Sequence, residues 1–212
     1  MLTTVTPSET RDARSATPKH LARRAQIIDA ARQILARDGL QACTARAVAD
    51  AGPLTKSAIH YYFADMDEII DAAMAAHLTA FLDTVRAAAD RHTDTADRFW
   101  AAMQSYVATF QEQPNAARLW FAYWLDSAQR SRTRPLDDMH REVTALLTEL
   151  LAPVMPDDPD DPQPRAHALL SYLLGTVVQQ AVQPLSFPAL ATEIARLCGI
   201  EPAQQRLTDT SA

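Results

Sequence analysis

Four glycines in 212 residues leave the chain few points at which it can reverse through the left-handed conformations that tight hairpins use. A sheet protein of this length needs many such turns, whereas alanine-rich stretches with apolar residues at three- and four-residue steps extend as helices. The expected fold class is therefore all-α. With 48% hydrophobic and 22% charged residues, the chain has enough apolar material for a real core.

The punctuation marks about nine helices. Leu21 to Arg37 carries apolar positions at Leu21, Ala25, Ile28, Ala31 and Leu35, and Gly39 supplies the stop. Thr44 caps a short helix reaching Ala51, Gly52-Pro53 turns the chain, and Thr55 caps another through Tyr62. Asp65 and Glu68 have the spacing of a capping box and open a long helix to about Arg91. Asp94 or Thr95 begins the next, to Glu112. Pro114 and Pro135 then stand in the first turns of two more, the second ending at Leu151. The acidic, proline-rich run at 153–164 reads as an exposed loop, followed by helices at about 165–183 and 188–198.

Charge is divided unevenly along the chain. Residues 1–63 hold nine basic and five acidic side chains, a net of +4, while the rest holds eleven and twenty-one, a net of −10. A basic head on an acidic body suits binding of a polyanion. Two cysteines, Cys43 and Cys198, form no CxxC pair and no disulfide framework, which fits a reducing cytoplasm. Cys43 is a weak candidate for redox chemistry. The opening 20 residues lack the apolar core of a signal peptide, and no stretch suffices for a membrane span.

The two short helices across Gly52-Pro53 have the helix-turn-helix form, in which the second helix enters the major groove. The segment RRAQIIDAARQILARDGLQACTARAVADAGPLTKSAIHYYFADMDEII, residues 23–70, resembles the N-terminal DNA-binding domain of the TetR family of bacterial transcriptional repressors. Gly39, Thr44, the Val48-Ala49 pair and the Tyr62-Phe63 pair carry the likeness. It implies that Thr55, Lys56, Ser57, Ala58, His60 and Tyr61 face DNA with Arg46, while Ile59 and Phe63 turn inward. Lys56 is one of only two lysines, set among small residues that let the helix sit deep in the groove.

Pro53, His60 and Met66 depart from the family pattern: the first sets the turn between the two short helices differently, and the other two are expected to shift phosphate binding toward Lys19, Arg23, Arg24 and Arg46.

The resemblance further implies a homodimer that binds a palindromic double-stranded operator and is released by a small molecule, with a tail at 1–20, a head at 21–64, a body at 65–200 and a second tail at 201–212. The dimer surface is expected at Leu170, Leu173, Leu174, Val177 and Ile194, with Leu169, Val178, Leu190 and Leu197 extending the apolar faces. Aromatic residues of the middle helices, with the resemblance, place an apolar or aromatic effector near Met103, Trp120, Tyr123, Trp124 and Gln179; Gln104 and His77 are further polar candidates. No cofactor, metal or catalytic residue is expected, since HExxH, GxSxG, P-loop and dinucleotide motifs are absent. The alternative is a helical protein-protein interaction module with secondary or no DNA binding.

Overall fold

The structure is a computed structural model that describes residues 17–52, 55–155, 161–180, 183 and 185–202. Among them are nine α-helices and no strand: α1 Pro18–Asp38, α2 Ala45–Ala51, α3 Lys56–Tyr62, α4 Met66–Ala89, α5 Thr95–Glu112, α6 Pro114–Gln129, α7 Thr133–Leu151, α8 Pro162–Gln179 and α9 Phe187–Cys198. Single 3-10 turns cover Leu40–Ala42 and Ala152–Val154. The chain divides into two compact units, Met1–His77 and Leu78–Ala212.

In the first unit, α1 packs on α2 and α3, and α2 packs on α3. The caps follow the sequence. Thr44 accepts from the Ala47 N–H at 3.2 Å and Thr55 from the Ala58 N–H at 3.3 Å, each satisfying a donor that the helix cannot. Gly39 ends α1 at φ 84°, ψ −179°, a conformation in which any Cβ is strained.

The start and the phase of α1 differ from expectation. Thr17 caps it and Pro18 fills the first turn, so it begins three residues before Leu21. Its buried face is Ile27, Ala30, Ala31, Ile34 and Leu35, with Leu21 and Ala25 exposed and Ile28 only half-buried. Each fully buried isoleucine or leucine there stabilises the unit by roughly 1.5–3 kcal/mol.

Asp65 accepts from the Glu68 N–H at 2.8 Å, and Glu68 reaches back to the Ala64 N–H at 2.8 Å. The reciprocal box therefore forms one residue earlier on the return side than the usual pattern.

In the second unit, α7 and α8 form the most extensive helix pair, α9 packs on α8, and α5 contacts α6, α7, α8 and α9. Phe99, Met103, Leu147, Leu151, Leu169 and Leu173 fill its centre. Asp94 caps α5 through the N–H groups of Ala96 and Asp97.

Pro135 lies inside α7, which starts at Thr133, and α8 starts at Pro162 because Asp161 caps it through the Gln163 N–H at 3.0 Å. The loop expected at 153–164 is thus helical from 162, and its stretch 156–160 lies outside the described residues. So do the 1–16 portion of the expected first tail and residues 203–212 of the second.

Candidate DNA-binding face and ligand cavity

On α3, the helical period separates two faces. Ile59 and Phe63 are buried at 1% and 2% exposure, while Thr55, Ser57, His60 and Tyr61 are exposed and Ala58 is half-buried. The outward face is small and polar at its start and aromatic at its end. The Lys56 side chain and Pro53 lie outside the described residues. Arg46 projects from α2 and meets Asp50 at 3.7 Å, an exposed pair too weak to hold it.

Arg24, which the sequence suggests for phosphate binding, is engaged within the protein. Its guanidinium donates to the Tyr62 carbonyl and to Glu68, and lies 3.9 Å from the centre of the Phe63 ring. That ties α1 to the end of α3 and the start of α4. Arg23 donates to Gln26 at 2.8 Å, and Lys19 remains exposed. One turn before Arg24, His20 stands against Tyr62 at 4.9 Å and Tyr61 at 6.2 Å, and the two tyrosines meet edge to face at 5.0 Å. Sequence reading missed His20 and this orienting contact to Tyr61, because the partners are 41 positions apart and no local pattern joins them.

A cavity of about 70 Å³ opens in the second unit. Leu78, Phe81, Tyr106, Phe110, Trp120, Phe121, Trp124, Met139, His140, Val143, Leu170, Leu174 and Val177 line it. Trp120, Phe121 and Trp124 come from one face of α6; Tyr106 and Phe110 are one turn apart on α5, and Phe81 meets them at 5.0 and 5.6 Å. No lining side chain carries a fixed charge, and burial pushes the Tyr106 phenol up from its ordinary range. A bound cation would be held by aromatic faces rather than by a carboxylate.

Of the expected ligand residues, Trp120 and Trp124 line this cavity. Met103 lies one turn before Tyr106 and is sealed in the core, as is Tyr123 of α6; Gln179 and Gln104 are exposed, and His77 belongs to the first unit. Phe81, Phe121, Met139 and His140 also line it without being among the expected ligand residues, since a cavity is defined by which helices converge.

The expected dimer residues are covered by their own chain. Leu170, Leu173, Val177 and Ile194 are buried and Leu174 is half-buried, with Leu170, Leu174 and Val177 on the cavity wall. The exposed positions of α8 include a run of small residues, Ala168, Ser171 and Gly175, that ends at Val178, and those of α9 include Leu197.

Both cysteines are buried, and burial raises each thiol to about 11, so neither is poised for redox chemistry. Among the described residues, no group of three or more metal-ligating side chains assembles and no helix is long and apolar enough to cross a membrane.

Comparison with known proteins places these features. Residues 27–73 match the model for bacterial regulatory proteins of the tetR family, and residues 95–198 match that for the C-terminal part of BetI-type transcriptional repressors. The HTH-type nicotine-responsive transcriptional repressor HdnoR of Paenarthrobacter nicotinovorans is 32% identical over 90 residues, covering 39% of this chain and 46% of that relative. The match thus spans less than half of the relative's length.

Among solved structures, the multidrug binding protein EbrR complexed with imidazole superposes with a TM-score of 0.64 at 22% identity, covering 86% of this chain and 98% of that one. A TetR transcription regulator from Haloarcula marismortui ATCC 43049 gives 0.66 at 16% identity, covering 84% and 97%. At such identities the structural likeness speaks for the fold. With family models matching both the head and the helical body, the chain belongs to the TetR family of bacterial transcriptional regulators.

Proposed function

We propose that the protein is a ligand-responsive transcriptional repressor that binds a palindromic operator as a homodimer and is released by a small apolar or aromatic molecule. The observation that carries this reading is the division of α3: Ile59 and Phe63 anchor it and leave Ser57, His60 and Tyr61 outward, while Arg46 of the preceding helix is exposed as well. Small and hydroxyl side chains allow close approach, and Thr55 places the helix N-terminus where a phosphate can sit. A dimer carries two such helices, which must stand about 34–36 Å apart to read successive turns of the groove. The division of roles follows the sequence: a head at about 21–64 reads DNA, and a body at about 65–200 pairs and binds the effector.

The aromatic cavity is the effector site in this reading. A ligand shifts the equilibrium only by its differential affinity for the DNA-free form. Because the wall is largely aromatic and uncharged, flat apolar molecules and aromatic cations suit it, the cations through cation–π contact. The nicotine-responsive relative supports an effector of that type.

Fluorescence tests the site. A ligand that lowers operator affinity is expected to change the emission of Trp120 and Trp124 and to bind more weakly to a Trp120→Ala variant. Release of DNA with silent tryptophans and equal binding to Trp120→Ala would place the effector elsewhere.

A further inference from the structure

His140 on α7 and His167 on α8 meet across two packed helices with ring centroids 5.0 Å apart and planes inclined by 47°. The Nδ1 of His167 lies 3.2 Å from the Gln163 carbonyl. A carbonyl oxygen can only accept, so Nδ1 is the donor, and in the neutral ring Nε2 then keeps the free lone pair. Histidines that hold metals are oriented in this way, with the second nitrogen donating to a carbonyl or carboxylate. The spacing agrees too. Two imidazoles bound to one tetrahedral ion at about 2.0–2.1 Å keep their ring centroids about 5 Å apart.

We propose that His140 and His167 form a two-histidine site for a transition cation such as Zn²⁺, Ni²⁺ or Cu²⁺. Imidazole nitrogen favours these ions, whereas Mg²⁺ and Ca²⁺ require oxygen donors that the pair does not offer. Among the described residues no group of three ligating side chains forms here, so water or a small nitrogen ligand completes the coordination shell. The site is therefore open and exchangeable rather than structural. His140 also lines the aromatic cavity, so an ion on this pair adjoins the space in which an effector would lie. An ion held between α7 and α8 crosslinks the most extensive helix pair of the second unit. None of this depends on the repressor reading.

Calorimetric titration of the full, tag-free chain with ZnCl₂ and with NiCl₂ tests the proposal. One saturable site per chain is expected, with no comparable heat from MgCl₂. His167→Ala and His140→Ala should each weaken it by at least the roughly tenfold that loss of a mere supporting partner costs. His167 is exposed, so its substitution leaves the fold intact. Zn²⁺ should also raise the thermal midpoint of the parent and leave that of His167→Ala unmoved. Absence of saturable binding up to millimolar metal, or equal binding by the parent and both variants, would overturn the site.

Discussion

The guanidinium of Arg24 reaches Glu68 at 2.8 Å from 44 positions away, while the other Glu68 oxygen accepts the Ala64 N–H. One side chain of α1 thereby fixes both the exit of α3 and the entry of α4. The ion pair itself is partly exposed and contributes little. The stabilisation comes from the charge-assisted bond to the Tyr62 carbonyl and the stacking on Phe63.

Arg24→Ala is expected to destabilise the first unit by about 1–3 kcal/mol, through loss of hydrogen bonds to a charged group. Urea denaturation followed by circular dichroism reads this as a lower midpoint. An unchanged midpoint would show that the carbonyl and Glu68 are equally well served by water.

Acid should weaken the same unit through His77. Burial first, and then the positive charge of Arg32, hold its imidazole below the ordinary value of 6.5. The unfolded chain then takes up the proton more readily, so this contribution to stability is complete above that value and declines as pH falls toward the folded one. Between about pH 8 and pH 5, His77→Gln should lose less thermal stability than the parent. Identical profiles would assign the acid sensitivity to other groups.

Assembly can be separated from folding by two substitutions on α8. Val178 is 51% exposed in the single chain and continues a stripe of small residues through Gly175, where an added Cβ would meet nothing within 4 Å. Val178→Glu is expected to yield folded monomers in sedimentation. Leu173→Glu, at 1% exposure, should unfold the second unit, because an unpaired buried charge costs several kcal/mol. A folded dimer of Val178→Glu would move the interface away from this stripe.

Much of the fold is legible from local chemistry. Thr44, Thr55 and Asp94 cap where their side chains allow it, and Gly39 stops α1 because few other residues adopt its backbone conformation. The phase of α1 was not legible: alanines at 22, 25, 30 and 31 lie all round the helix and mark no single face. Nor was the partner of an apolar face. Leu173 and Val177 are recognisably core-like, yet only packing shows that their own chain covers them. Pairs such as His20 with Tyr61, Arg24 with Glu68 and His140 with His167 depend on how helices meet, and a single sequence records no such encounters.

Whether α3 reads DNA is decided by capture of genomic fragments with the full chain at near-physiological salt, followed by anisotropy titration of the enriched duplex. A palindromic sequence should be enriched over bulk DNA. Lys56→Ala should bind it about 1–3 kcal/mol more weakly if the lysine contacts a base, or with a flatter salt dependence if it contacts phosphate. Tyr61→Ala, at an exposed position, should also weaken binding without loss of helicity. Failure to enrich any sequence, or equal affinity and salt slope for the parent and both variants, would contradict DNA reading by α3 and leave a helical interaction module in its place.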